Sequence, residues 1–393
     1  MNYLKEAQSH FDEMLATRRH LHQNPETGFE TQETAKFIKK KLKEYGLEPE
    51  DIGENGVTAL IGPDTGKTIL LRADMDALPI KEESGVEFAS NNDYMHACGH
   101  DMHTTVLLTA ARLLKENEDQ LKGHVKFIFQ PAEELLIGGK AMVDAGILEN
   151  PKVDVALGLH VAPNIDEQGI LVVEEGPWMT FANNFRIRIK GEGAHGATPY
   201  LGVDPVMIGA QIVNGAQEIL SRELPFDRSA TLTMGKFIAK GAINVIPGEA
   251  VIEGTVRGFS NESKDYIKKR LPEIVQKIAE AYRGTAEFEL LSDCPVLVND
   301  GDFSRTAISY LKEISQGEFD IHKGGQVHAS EDFAYYADQV PAFFFNILTP
   351  NPDAEDGKLY PVHHPKVVFG EEILPKASAM LSHIATRWLE DQA

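Results

Sequence analysis

Apolar and polar positions follow two different periods along the chain, and the order of these periods predicts the fold. In the first half, short apolar runs typical of buried strands alternate with segments of helical periodicity. Strands that alternate with helices indicate a mostly parallel sheet with helices on both faces. The predicted strands are 67–71, 124–130 and 153–161, and the predicted helices are 31–46, 102–117 and 138–146.

The pattern changes after residues 176–178. The segment FRIRIKG alternates strictly between apolar and polar residues, as does a strand with one exposed face. The elements after it predict the βαββαβ order of a ferredoxin-like domain. Pro272 lies inside the second predicted helix, where we expect it to kink or divide the helix. These elements are a strand at 185–191, a helix at 204–223, strands at 229–237 and 249–259, a helix at 261–283 and a strand at 286–293.

The first pattern returns after Cys294, with a helix predicted over 301–315, an apolar strand over 342–348 and a final helix from about residue 371. A chain of 393 residues exceeds the size at which one core usually stops growing, so two domains are expected. We therefore predict an α/β main domain formed by residues 1–180 and 294–393. A smaller α+β domain, residues 181–293, interrupts it.

Charge and cysteine content exclude several classes of partner. With 38 basic and 60 acidic residues, the formal net charge is −22. Such a surface repels nucleic acid and anionic membranes. Two cysteines favour a reducing compartment over a disulfide-stapled secreted protein. The charged N-terminal segment lacks the apolar core of a signal peptide, and no apolar run approaches the roughly 20 residues that span a bilayer. We expect a cytoplasmic protein without nucleic-acid or membrane partners.

Potential metal-binding side chains occur where predicted strands end or a predicted helix begins. In open α/β sheets, sites form outside the carboxyl ends of the strands, so these groups are expected to converge. A single histidine or cysteine at a strand end usually has a packing or hydrogen-bonding role, and adjacent glutamates usually lie in a solvated turn. The presence of several such groups at equivalent points of the fold favours a metal site instead. The groups are Asp74, Asp76, Cys98, His100, Glu133, Glu134, His160, His363 and His364.

The residue types indicate the chemistry. A thiolate beside an imidazole, as in Cys98 and His100, suits zinc, nickel or manganese-like sites. Gly99 between them permits a tight turn that directs both side chains to one point. Glu133 and Glu134 are adjacent, and successive side chains of extended backbone point in different directions. One can therefore bind metal while the other acts as a general base on a metal-activated water.

A series of short motifs runs along the chain, in the order RRHLHQNPETGFE, LLRADMDALP, HACGHDMHT, FQPAEE, GLHV, GEGAHGATP, NVIPGEA, GTVRG, SEDFAYY and HHP. Together these motifs resemble the M20 metallopeptidase family, specifically its amidohydrolase branch. The resemblance runs from about residue 10 to the C-terminus. It implies a zinc-aminopeptidase-like, three-layer catalytic domain with an inserted ferredoxin-like lid, through which the protein forms a homodimer.

The resemblance also implies roles for individual residues around two divalent ions, which could be Mn, Zn, Ni or Co. Glu133 is implied as general base, and Asp76, alone or together with Asp74, is implied to orient a ligand. His195 is implied to stabilise the tetrahedral oxyanion, in its own or its partner's site. Asn244 and Arg257 are implied to hold the substrate carboxylate, although Arg257 could also be a solubilising residue. The implied metal ligands are Cys98, His100, Glu134, His160 and His363, with His364 a spare.

The implied reaction is hydrolysis of the amide bond of an N-acyl amino acid, which gives a carboxylic acid and a free amino acid. A dipeptidase or carboxypeptidase with the same site, and a non-catalytic binding protein, are the alternatives. Three departures from the usual motifs leave substrate choice open. They are Tyr200 in the lid motif, Leu135–Ile137 after FQPAEE, and His328–Ala329 before SEDFAYY.

Overall fold

A mixed sheet of eight strands lies at the centre of the larger part of the molecule. The computed structural model describes residues 2–164, 169–315, 317, 319–350 and 358–393. In these ranges the strands are β1 (Glu50–Ile52), β2 (Gly56–Ile61), β3 (Thr68–Asp74), β4 (His124–Gln130), β5 (Val155–Asn164), β6 (Gly169–Val172), β7 (Gly176–Met179), β8 (Phe181–Lys190), β9 (Ala194–His195), β10 (Ala230–Ile238), β11 (Val245–Ile246), β12 (Glu249–Gly258), β13 (Thr285–Cys294), β14 (Leu297–Asn299), β15 (Asp320–Lys323) and β16 (Ala342–Pro350).

Helices cover this sheet and one face of a second, smaller sheet. They are α1 (Tyr3–Ser9), α2 (Phe11–Gln23), α3 (Gln32–Glu44), α4 (His100–Glu116), α5 (Gly138–Asp144), α6 (Pro205–Glu218), α7 (Asn261–Ala281), α8 (Gly301–Ser315), α9 (Ala334–Ala337) and α10 (Leu374–Asp391). None of the helices within the described ranges is long and apolar enough to cross a lipid bilayer.

The eight-stranded sheet has the order β1-β2-β4-β3-β5-β16-β6-β15. Its centre is parallel, as the sequence predicts, because β3 pairs in parallel with β4 and β5, and β16 with β5. The flanks are mixed: β2 is antiparallel to both β1 and β4, and β16 is antiparallel to β6, whereas β15 is parallel to β6. The antiparallel β1–β2 hairpin forms because Gly53 and Asn55 adopt positive φ in its short turn. Periodicity did not reveal β1, whose residues are largely polar and exposed.

The parallel centre brings the carboxyl ends of its strands to one edge. Asp74 at the end of β3 lies opposite Gln130 at the end of β4, so the loop after β4 begins beside Asp74. His160 lies further along β5, opposite Asn346 of β16. The β3 strand is buried along its whole length, and its parallel pairing with both β4 and β5 fixes its register at this edge.

The chain divides into two units. The larger comprises Met1–Gly176, Val298–Gln326 and Asp332–Ala393, and the smaller comprises Pro177–Leu297 and Val327–Glu331. The smaller unit has an antiparallel sheet of order β10-β12-β8-β13 with α6 and α7 packed on it, which confirms the predicted ferredoxin-like arrangement. Helix α7 continues through Pro272 without a break. Its apolar side, including Ile267, Leu271 and Val275, is buried and stabilises the continuous helix.

Candidate metal centre

The two glutamates after β4 are held at the sheet edge by their own backbone. Ala132 adopts a left-handed φ of +58°, which turns the chain sharply after the strand. The backbone N–H groups of Glu133 and Glu134 then donate to the carboxylate of Asp76, at 3.0 Å and 3.2 Å. Asp76 therefore orients the loop that carries both glutamates.

Gly99 sets the directions of Cys98 and His100. Its φ is +90°, a conformation that favours glycine. A Cβ atom at this position would lie 2.4 Å from Cγ2 of Val161, on the neighbouring strand β5. The glycine thus allows the first turn of α4 to approach the strand that carries His160.

His100 lies at the middle of the acidic groups. Its Nδ1 donates to the backbone carbonyl of Asp76 at 2.8 Å, which leaves Nε2 facing the carboxylates. Nε2 lies 3.6 Å from Oδ2 of Asp74 and 3.9 Å from a carboxylate oxygen of each of Glu133 and Glu134. A hydrogen bond from one ring nitrogen to a carbonyl is the usual way in which a metal-binding histidine is oriented.

Cys98, His160 and His363 complete the cluster. Sγ of Cys98 lies 3.2 Å from Nε2 of His160, whose Nδ1 donates to the carbonyl of Val161. His363 approaches from the other side, with Nε2 3.4 Å from Oε2 of Glu134. It has a φ of +66°, its N–H donates to the carbonyl of Ala97, and half of its side chain is exposed. The cluster is thus buried at His100 and open to solvent at His363.

These donors fit divalent metal ions. Donor atoms within 4.8 Å of one another form overlapping groups: Cys98, His100 and His160; Cys98, Glu134 and His363; His100, Glu133 and Glu134. Moreover, Nε2 of His100 and Oε1 of Glu134 are buried yet have no hydrogen-bond partner among the described residues. Buried polar atoms of this kind are rare because desolvation without a partner is unfavourable, and a cation would satisfy both.

The charges favour cations as well. Burial opposes protonation of His100, but Asp74 and Asp76 outweigh it and raise its pKa to about 10. At Asp74 burial again opposes the charge, and His100, His103 and Arg72 outweigh it and hold the pKa well below its ordinary value. Burial lowers the pKa of His160, and the nearby His103 lowers it further. This imidazole therefore remains neutral and able to bind a metal. The carboxylates thus attract positive charge to His100, and a metal ion that binds there takes the place of its proton, whereas His160 is already neutral.

Three further buried residues support the cluster and had no role in the sequence prediction. His103 hydrogen-bonds Oδ1 of Asp74 through Nδ1 at 2.6 Å and accepts from the N–H of Val161 through Nε2 at 2.8 Å. Arg72 bridges Asp74 and Asp332, at 2.7 Å and 2.8 Å. Their positions contain a signal: His100 and His103 are three residues apart and share one face of a helix. Arg72 and Asp74 are two residues apart on a strand and therefore point to the same face of the sheet.

The three residues that were predicted to contact the substrate lie in the smaller unit. His195 in β9 and Asn244 are neighbours there, because the N–H of Gly196 donates to the carbonyl of Asn244 at 2.7 Å. Both side chains are exposed. Arg257 lies on β12, half-buried, and hydrogen-bonds Thr255, with its pKa lowered by burial. Tyr200, one of the departures, is also in this unit and is 75% exposed.

An α/β sheet with thiol, imidazole and carboxylate donors at its carboxyl edge defines the class of metal-dependent hydrolases. Comparison with known proteins narrows the class: the model of Peptidase family M20/M25/M40 matches residues 70–387. The chain belongs to this family, and its relatives place it in the amidohydrolase branch. The predicted family, fold class and enzyme class are confirmed.

Individual relatives match nearly the whole chain. N-acetyl-L-cysteine deacetylase of Bacillus subtilis is 39% identical over 96% of this chain and 88% of its own. N-acyl-L-amino acid amidohydrolase of Geobacillus stearothermophilus is 42% identical over 70% of this chain and 75% of its own. A solved structure from Bacillus subtilis, described as a dinuclear metal-binding peptidase from the M20 family, has a TM-score of 0.78. It is 34% identical over 98% of this chain and 99% of its own.

Proposed function

We propose that this enzyme hydrolyses the amide bond of N-acyl amino acids and releases a carboxylic acid and a free amino acid. The overlap of the donor groups around His100 and Glu134 carries the proposal, because two neighbouring cations need ligands that face both positions. The deacetylase and the N-acyl-amino acid amidohydrolase among the relatives support the substrate class.

In this proposal two divalent cations are held by five side chains. When bound, they supply the Lewis acidity that acidifies a water molecule and polarises the substrate carbonyl. Asp76 and Asp74 orient the ligands: Asp76 through the backbone of Glu133 and Glu134, and Asp74 through His103. Mn, Zn, Ni and Co are all compatible with this donor set. The five ligands are Cys98, His100, Glu134, His160 and His363.

Glu133 acts as the general base. It is 6% exposed, and one of its oxygens accepts the backbone N–H of Asp332 at 3.4 Å, which fixes the carboxylate near His100. It removes a proton from the attacking water and gives that proton to the amine nitrogen as the C–N bond breaks. The oxygen of the water ends in the carboxylic acid, so atoms and charge balance.

Residues of the smaller unit bind the substrate. His195 stabilises the oxyanion of the tetrahedral intermediate, and Asn244 and Arg257 hold the carboxylate of the amino acid. Arginine suits this task because its fork can pair with a carboxylate in a bidentate manner. This unit also forms a homodimer, for which exposed apolar side chains such as Met207, Phe237 and Ile238 provide contact area.

A substrate panel tests the function. The purified chain is loaded separately with Mn, Zn, Co and Ni and assayed with N-acetyl and N-benzoyl amino acids, and with the dipeptides of the same residues. We expect release of free amino acid from the acyl compounds at a kcat/KM at least tenfold above that for the dipeptides. Preference for the dipeptides would identify a dipeptidase instead. Metal binding without any turnover would contradict the proposal.

A further inference from the structure

A second buried network lies beneath the metal centre, between α2, the start of α4 and the segment that joins β3 to α4. His22 is its central residue. Nδ1 of His22 lies 2.8 Å from Oδ2 of Asp101, and Nε2 lies 3.1 Å from Oε1 of Glu82. The side chains of His22, Asp101 and Glu82 are each at most 3% exposed.

The network requires His22 to be an imidazolium ion. Both partners are carboxylates, which accept but do not donate when ionised, so both ring nitrogens must carry hydrogen. Burial opposes this charge, but Asp101 outweighs it and raises the pKa of His22. Arg18 adds a second cation, with Nε 2.9 Å from Oδ2 of Asp101. Buried ion pairs of this kind tie elements together, because loss of one partner leaves an uncompensated buried charge.

Each carboxylate belongs to an element that bears a metal-binding residue. Asp101 directly follows His100 in the first turn of α4. Glu82 holds the β3–α4 segment, residues 77–97, because its other oxygen accepts the N–H of Ser90 at 2.6 Å. Cys98 directly follows this segment.

The same segment supports the loop of His363. The N–H of His363 donates to the carbonyl of Ala97 at 2.9 Å, and the N–H of Glu83 donates to the carbonyl of Pro365 at 2.8 Å. Glu83 is the next residue after Glu82. A displacement of Glu82 is therefore transmitted to both ends of the His363 loop as well as to Cys98.

We propose that His22 is a positioning residue of the metal centre: its imidazolium joins α4 to the β3–α4 segment and so sets the spacing of Cys98, His100 and His363. The proposal rests on the ligand set proposed above. It assigns His22 no contact with substrate or metal. Groups that hydrogen-bond directly to metal ligands typically change metal affinity by about 10–100-fold when they are removed. His22 acts one contact further out, through Asp101 and Glu82, so we expect an effect near the lower end of that range.

The test measures metal affinity. His22→Gln keeps a polar side chain of similar reach but places an amide oxygen against one of the two carboxylates. His20→Gln is the matched control, because His20 lies on the same helix with its ring exposed and stacked on Phe37. The Kd for Zn and Mn is determined by competition with a chromophoric chelator, and folding of the metal-free proteins is followed by circular dichroism.

We expect His22→Gln to raise the Kd at least tenfold at a temperature where the metal-free variant is folded, and His20→Gln to leave it unchanged. Glu82→Ala should raise the Kd by a similar factor. The variant that combines both substitutions should bind metal as tightly as the weaker-binding of the two single variants, because each substitution breaks the same linkage. Unchanged affinity in His22→Gln, or an equal change in His20→Gln, would overturn the proposal.

If His22→Gln does not fold, Glu82→Ala decides the question by the same criterion. If the unsubstituted protein binds neither metal, the proposed ligand set fails, whatever the variants do. A protein that binds metal normally but hydrolyses no N-acyl amino acid leaves the role of His22 intact and contradicts only the proposed substrate. The two failures are thus distinguishable.

Discussion

Replacement of Gly99 by alanine tests whether the approach of α4 to β5 creates the metal centre. Two effects add at this position. A non-glycine residue in a strained positive-φ conformation costs about 1–3 kcal/mol. The new Cβ would also lie 2.4 Å from Cγ2 of Val161 and 3.3 Å from the ring of Phe369, both buried and closely packed. Overpacking of this kind costs about 1–3 kcal/mol more. We therefore expect Gly99→Ala to lower the free energy of unfolding by about 2–6 kcal/mol.

Gly146 provides a matched control, because its φ is also +90°. A Cβ there would meet no heavy atom of the described residues within 4 Å, its own chain neighbours aside. Gly146→Ala should thus show the conformational cost alone, about 1–3 kcal/mol. It should leave metal affinity unchanged, whereas Gly99→Ala pushes Cys98 and His100 away from His160 and should raise the Kd for metal at least tenfold.

The assay combines urea unfolding of the chelator-treated proteins with metal titration of the folded ones. The difference between the two alanine variants isolates the contact with Val161. Equal losses of stability and equal metal affinities in Gly99→Ala and Gly146→Ala would refute the reasoning, since strain alone would then explain both. A Gly99→Ala protein that is destabilised but binds metal normally would show that the turn does not set the ligand positions.

Three other predictions concern the same centre. Glu133→Gln should lower kcat by about 10²–10⁴-fold while metal binding is retained, because the general base is lost. Glu174→Gln, a substitution at an exposed glutamate, is the control. Near-normal turnover of the Glu133 variant would show that Glu133 is not the base. Alkylation of Cys98 in the metal-free protein should abolish activity, and bound metal should protect the thiol from alkylation. Mass spectrometry of the modified peptide measures the labelling. Equal labelling with and without metal would contradict this prediction. The raised pKa of His22 means that its stabilisation is complete below the ordinary value of 6.5 and is lost as pH rises through the folded value. The stability difference between the unsubstituted chain and His22→Gln should therefore shrink in alkaline urea titrations, with Arg18, Glu82, His96 and Asp101 as the groups that face His22; a difference that grows with pH would be the wrong sign.

Local pattern was sufficient for most of the fold. Strand β4 and helix α8 have the bounds that periodicity predicts, because each has an uninterrupted apolar face and a clear end. The β1–β2 hairpin and the N-terminal helices were not predicted. Strand β1 is short and polar, and it exists because it pairs with β2, an interaction that a local window does not contain. Pro272 was expected to disturb α7, yet packing of the buried side of that helix outweighs one missing hydrogen bond.

The sequence by itself determined the donor types and their order, because thiol, imidazole and carboxylate groups at strand ends are a property of the covalent chain. It also determined where glycine is needed, at Gly99. Only the tertiary structure decided which atoms are left without partners, since burial of His100 Nε2 and Glu134 Oε1 depends on four separate chain segments meeting. The same holds for Arg72 between Asp74 and Asp332, and for His22 between Asp101 and Glu82. Electrostatic energy depends on distance and on exclusion of water, and neither is encoded in any one stretch of sequence.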